Sequence, residues 1–244
     1  MFEVTSLGEG LWRIRDGVDN PMVDCYLAVG RDRALLIDAG ISGGDLVGEI
    51  ARLTDKPVTL VILHNHDDHN AAAGQFDDVW MSHRAVSTPE LRGRAQDLVG
   101  GHVFDLGGVC LQAIAMPGHT ACSFVLLDRE NLRLFTSDSV GAGCIWMQLP
   151  ESLDEQTLID SLDGLEAAIG DLPPLTYYVG HSHQPRKPLD REYLADLREC
   201  ACQVRDGMAK HRRVILASET PVELRPYTRI AQFGRMEAYV FDVE

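Results

Sequence analysis

Residues 58–69 constrain this chain more than any other stretch. Val58-Thr59-Leu60-Val61-Ile62-Leu63 is an apolar run, and His64-Asn65-His66-Asp67-Asp68-His69 follows it without a spacer. A short apolar run of this kind reads as a strand buried on both faces, so the fold must supply a layer on each side of it. Side chains alternate along a strand with period two, so its end can present His64 and His66 on one side. Asp68 and His69 then come from the turn leading into Asn70–Gln75. Imidazole nitrogens and carboxylate oxygens together are the ligands of zinc, iron and manganese. A surface loop that happens to be histidine-rich is the plain alternative. It does not account for the cluster standing directly after a buried strand. Asp67 reads as a solvated loop residue.

The remaining segments predict mixed strands and helices. Tyr26–Val29, Ala34–Ile37, Ser123–Leu127 and Leu132–Thr136 read as strands. Asp45–Leu53, Leu153–Ile169 and Asp190–Met208 read as helices, the second with apolar residues at helical spacing and acids near its start. Residues 26–40 and 123–139 form a weak internal repeat: strand, polar turn, strand, then an aspartate followed by small residues. Two such hairpins suggest two sheets of related construction, and hence an α/β or α+β layered fold. The last piece, Arg213–Glu244, is expected to add a helix end and two strands.

The length of 244 residues is expected to form a single domain over 1–244. The formal charge of −15 argues against a nucleic-acid partner, because Lys210-His211-Arg212-Arg213 and Arg186-Lys187 are the only dense basic clusters. No apolar run reaches the ~20 residues that span a bilayer, so no membrane partner is expected. The amino-terminal segment reads as a strand rather than a signal peptide. The six cysteines show no C-x-x-C pair and no compact framework, so reduced thiols and a cytoplasmic location are expected.

The His64–His69 pattern, HxHxDH, resembles the signature of the metallo-β-lactamase superfamily, and the resemblance continues in order over residues 20–185. Leu36-Ile37-Asp38-Ala39-Gly40 is similar to the family's first motif and Pro117-Gly118-His119-Thr120 to its third. Phe135-Thr136-Ser137-Asp138-Ser139 is similar to the fourth, although the family often has glycine where Ser137 stands. Val179-Gly180-His181 is similar to the fifth. The resemblance implies a four-layer αββα sandwich. It implies two divalent metals, zinc first, with iron or manganese as alternatives. His64, His66 and His119 would bind one metal. Asp68, His69 and His181 would bind the other, and Asp138 would bridge both. Asp38 would hold the HxHxDH loop by hydrogen bonds. His183 competes with His181, and is expected to be a pocket residue or a donor behind the ligands. His83 and His102 fit no motif.

The activity implied is hydrolysis of a small carbonyl substrate (thioester, lactone, ester or amide) by a hydroxide bridging the two metals, with Asp68 orienting it and moving its proton. An iron-dependent oxidoreductase or sulfur dioxygenase on the same fold, and a non-catalytic metal-binding module, are the competing readings. The segment Ser139–Pro150 is apolar and contains glycine. It reads either as a loop lining the substrate pocket, with Cys144, Trp146 and Met147 as contacts, or as a packing segment or homodimer patch. Gly141 stands where acyl-homoserine lactonases of the superfamily often have tyrosine. Arg186 and Lys187 are only loosely analogous to the glutathione-binding residues of glyoxalase-II-like enzymes.

Overall fold

The computed structural model describes residues 2–17, 22–85, 89–184, 188–213, 228–233 and 236–241. Seven strands form the first sheet, in the spatial order β1 (Glu3–Gly8), β2 (Leu11–Asp16), β3 (Val23–Val29), β4 (Ala34–Ile37), β5 (Val58–Ile62), β6 (Val79–Met81) and β7 (Gln96–Asp97). Strands β1 to β4 pair antiparallel and β4 to β7 pair parallel. Each parallel step needs a crossover, and the crossovers carry α1 (Leu46–Ile50), α2 (Asp67–Asn70) and α3 (Pro89–Arg94). The second sheet contains β8 (Val103–Asp105), β9 (Cys110–Ala115), β10 (Phe124–Asp128), β11 (Arg133–Ser137) and, parallel to β11, β13 (Thr176–Val179). The strand β12 (Cys144–Trp146) joins a third sheet with β14 (His211–Arg213), β15 (Thr228–Phe233) and β16 (Met236–Phe241). Two longer helices complete the fold, α4 (Glu155–Ile169) and α5 (Arg191–Arg205).

Three apolar cores explain the layering. Tyr26, Leu35, Ile37 and Val61 of the first sheet meet Leu111, Phe124, Leu126 and Phe135 of the second. The other face of the first sheet packs Leu27, Leu36, Leu60 and Ile62 against Leu46 and Ile50 of α1 and against Ala72 and Phe76 beyond α2. The far face of the second sheet packs Val125, Leu127 and Leu134 against Leu158, Leu162 and Leu165 of α4 and Leu197 of α5. Neighbouring residues of one strand thus enter different cores, as the two-residue period dictates, and the layers run helix, sheet, sheet, helix. Both hairpins of the internal repeat are present, β3–β4 in one sheet and β10–β11 in the other.

Helix starts follow the sequence closely. Asp45, Asp154 and Asp190 cap α1, α4 and α5 by accepting from the backbone N–H of Gly48, Thr157 and Tyr193. Helix α4 ends at Ile169 as expected, whereas α1 and α5 end earlier than expected. Helix α1 stops at Ile50, because Arg52 and Leu53 donate three residues back, to the carbonyls of Glu49 and Ile50, and tighten the last turn. Helix α5 stops at Arg205, because Gly207 takes a φ of 68° and Met208 N–H donates to the Gln203 carbonyl. The third sheet was not anticipated. Its member β12 is three residues long, and its partner β16 lies some ninety residues further along the chain.

Candidate metal centre

The end of β5 delivers His64 into the interior, and α2 begins with His66 as its cap. Asn70 ties this loop by donating from Nδ2 to the carbonyls of Asn65 (3.1 Å) and His66 (3.0 Å). The ring centroids of His64 and His66 lie 4.7 Å apart, on the loop between the end of β5 at Ile62 and the start of α2. Asp67 is exposed.

Two groups of side chains converge here. Candidate ligand atoms of His64, His66 and His119 all lie within 4.8 Å of one another, and the same holds for Asp68, His69 and His181. Against the second group stands Asp138, whose Oδ2 is 3.1 Å from His181 Nε2 and 3.5 Å from His69 Nε2. Asp68 Oδ2 is 3.7 Å from His69 Nε2 and 3.6 Å from His181 Nε2. Gly180 makes room for this packing, since a Cβ there would stand 2.4 Å from Asp138 Oδ1 and 2.6 Å from His69 Cε1.

Hydrogen bonds fix which imidazole nitrogen faces inward. Asp38 and backbone carbonyls can only accept. His69 Nδ1–H therefore donates to Asp38 Oδ2 (2.9 Å), His181 Nδ1–H to the Met22 carbonyl (2.8 Å) and His119 Nδ1–H to the Trp146 carbonyl (2.7 Å). In each ring Nε2 is left for the centre. His119 Nε2 is 3.2 Å from His66 Nδ1, near the ~3.4 Å that separates two nitrogens sharing one tetrahedral zinc. His64 Nε2, His66 Nε2 and His69 Nε2 are buried with no hydrogen-bond partner among the described residues. Each bare buried nitrogen costs on the order of 1–3 kcal/mol. Two converging groups of imidazole and carboxylate, with such a nitrogen on His64, fit a divalent metal.

Asp38, His64 and His69 also form a compact trio. Asp38 is already filled, however. Its Oδ1 accepts from Leu63 N–H (2.9 Å), and its Oδ2 accepts from His69 and from Ser137 Oγ–H (2.6 Å).

Electrostatics divide the centre. Burial pushes His64 well below the usual imidazole range, helped by His69 and His66, and burial holds His119 down at about 4. Burial pulls His69 and His181 the same way, but Asp68 and Asp138 override it for His69. Asp138 does so for His181 and raises it to about 9. Burial would raise Asp138, and His181 and His69 instead hold it well below the usual carboxylate range. Burial lowers His66 as well, so without metal the imidazoles of His64, His66 and His119 adjoin an ion-paired cluster.

The sequence profile of the Metallo-beta-lactamase superfamily matches residues 18–181, a span that includes every residue of both groups. The chain belongs to the metallo-beta-lactamase superfamily. Curated relatives include an "Acyl-coenzyme A thioesterase MBLAC2" of Gallus gallus, 28% identical over 189 residues (60% of this chain, 68% of the relative). Another is a "Probable polyketide biosynthesis zinc-dependent hydrolase BaeB" of Bacillus velezensis, 24% identical over 166 residues (65% of this chain, 72% of the relative). A metallo-beta-lactamase of Erythrobacter litoralis is similar in fold, with a TM-score of 0.62 at 19% identity over 83% of this chain and 96% of that one.

Other residues of this superfamily member fall into place around the centre. His183 is half-buried, its ring 5.9 Å from that of His181, and it belongs to neither group. Met147 is buried in the core with Leu158 and Leu162, whereas Cys144 and Trp146 are half-buried on β12. Arg186 and Lys187 lie outside the described residues. No helix among the described residues is long and apolar enough to cross a membrane.

Beyond Asp38, sequence reading missed the side chains and carbonyls that hold the two groups. Asp24 accepts from Arg15 Nε (2.8 Å) and from Ser182 N–H (2.9 Å), and Arg15 Nη2 reaches Ser182 Oγ (2.8 Å). This network pins the segment carrying His181 to β2 and β3. A charged residue inside the apolar run of β3 was the available signal for Asp24. Nothing local marked the Trp146 carbonyl.

Proposed function

We propose that the protein is a metal-dependent hydrolase holding two divalent ions, zinc in the first instance. His64, His66 and His119 hold one ion, Asp68, His69 and His181 the other, and Asp138 stands between them. The observation that carries this reading is the convergence of two compact groups of candidate ligand atoms, His64, His66 and His119 in one and Asp68, His69 and His181 in the other, with Asp138 against His69 and His181. Bound metal supplies an acidified water at neutral pH and a counter-charge for a developing oxyanion.

The side chains supply the rest. Asp38, Met22 and Trp146 hold three imidazoles by Nδ1, so that orientation is set before substrate arrives. Asp68 is the more accessible of the two carboxylates, at 29% against 17% for Asp138. It orients the attacking water, accepts its proton and returns it to the leaving group.

The substrate is a small carbonyl compound, and thioesters are the first class to test. The names of the curated relatives, one an acyl-coenzyme A thioesterase, support that choice. Zinc-loaded protein should release free thiol from acyl-coenzyme A thioesters, and chelation should abolish it. Turnover of lactones or oxygen esters with none of thioesters would overturn the substrate class.

A further inference from the structure

We infer that Ser137 is a positioning residue that fixes the ring and tautomer of His64 and ties it, through Asp38, to His69. Ser137 Oγ lies 2.6 Å from Asp38 Oδ2 and 3.1 Å from His64 Nδ1. A carboxylate cannot donate, and a 2.6 Å contact to one is the length of a charge-assisted O–H···O⁻ bond. The single serine proton therefore points at Asp38. The hydroxyl can then only accept from His64, which must carry its proton on Nδ1. The same carboxylate oxygen accepts from His69 Nδ1 at 2.9 Å. One serine and one aspartate thus leave both His64 Nε2 and His69 Nε2 bare, and these two buried nitrogens are among those without a partner. The bridge spans the two ligand groups, for His64 belongs to one and His69 to the other.

Backbone conformation supports the assignment. Asp38 has a φ of 62° and Ser137 a φ of 47°. Each follows or closes the second strand of one of the two repeated hairpins. Non-glycine residues avoid this left-handed region, and glycine occupies it freely. Two residues held there against preference, with their side chains bonded to each other, mark the hydroxyl rather than the backbone as the reason for a serine.

The consequence for metal affinity rests on the proposed function, whereas the tautomer does not. The test uses metal-free full-length chain labelled with ¹⁵N-histidine, with the wild type compared with Ser137→Gly and Ser137→Ala at pH 7. The His64 signal is identified from its loss in His64→Gln. Long-range ¹H–¹⁵N correlations should show His64 protonated on Nδ1 in the wild type. Ser137→Gly should fold with undiminished thermal stability, lose the Nδ1–H preference, and bind zinc on the order of 10-fold more weakly in competition with a chromophoric chelator. Ser137→Ala should lose the same tautomer preference and also lose thermal stability, which separates the hydroxyl from backbone strain. Wild-type His64 protonated on Nε2, or an unchanged tautomer in Ser137→Gly, would overturn the inference. Wild type that takes up no metal would defeat the proposed function while leaving the tautomer comparison decisive.

Discussion

Asp138 Oδ2 faces His181 Nε2 across 3.1 Å. The aspartate stands just past β11, and the histidine stands two residues past β13, the parallel neighbour of that strand. The same oxygen reaches His69 on α2 at 3.5 Å, so one carboxylate gathers imidazoles from both sheets. Asp138→Asn preserves shape but removes one of the three carboxylates that face His69 and one of the two that face His181. It should fold, and it should retain less metal than the wild type after equal dialysis. Full retention would show that Asp138 is not a ligand.

Asp68→Asn should leave the fold intact, because the side chain is partly exposed and its ion-pair contacts to His69 and His181 are 3.6 Å or longer. Turnover should fall by about 10²–10⁴-fold, the range for loss of a positioned acid–base group. Near-wild-type turnover with unchanged metal content would remove Asp68 from the mechanism.

Gly180→Ala places a methyl group 2.4 Å from Asp138 Oδ1 and 2.6 Å from His69 Cε1. Those atoms must shift, and both belong to side chains of the centre. The variant should unfold at a temperature near the wild type when both are metal-free, yet bind zinc much more weakly. Competition titration against a chromophoric chelator measures the loss, and an unchanged affinity would contradict the packing described.

The metal-free protein should be most stable near pH 6.5 and weaken on either side. His181 is raised to about 9 by Asp138 against the pull of burial. Its contribution is complete below the unfolded value of ~6.5 and is lost as the pH climbs to about 9. His119 is held down to about 4 by burial, so its neutral burial becomes a liability as the pH falls from ~6.5 toward that value. Zinc needs neutral imidazoles, so uptake at pH 7 should release protons and uptake at pH 9.5 fewer. Thermal unfolding across pH in a chelator, and calorimetry in buffers of different ionisation enthalpy, measure the two effects. A melting temperature of the metal-free chain that stays flat between pH 6.5 and 9 would contradict the cluster's charge state.

Much of this was legible in the sequence because the signals were local. An apolar run buried on both faces fixed β5 between two cores, and the histidines that follow it marked the loop that carries His64 and His66. The hairpin repeat foretold a pair in each sheet. The rest depends on distant partners. Strand β12 exists because β16 pairs with it, and its three residues carry no signal of their own. Met147 was a candidate pocket residue on its apolar character, which is also what seats it in the core beside Leu158. Ser137 lay inside a recognised motif, but its role follows from a left-handed backbone that turns its hydroxyl onto Asp38, a residue 99 positions away.

The most direct test of the central claim is metal content per chain, by element-resolved mass spectrometry, on protein purified without chelators or a metal-affinity tag. Two ligand groups joined by Asp138 predict close to two zinc ions per chain. Metal far below one per chain, with no uptake of added zinc, manganese or iron, would contradict the assignment of these residues as ligands.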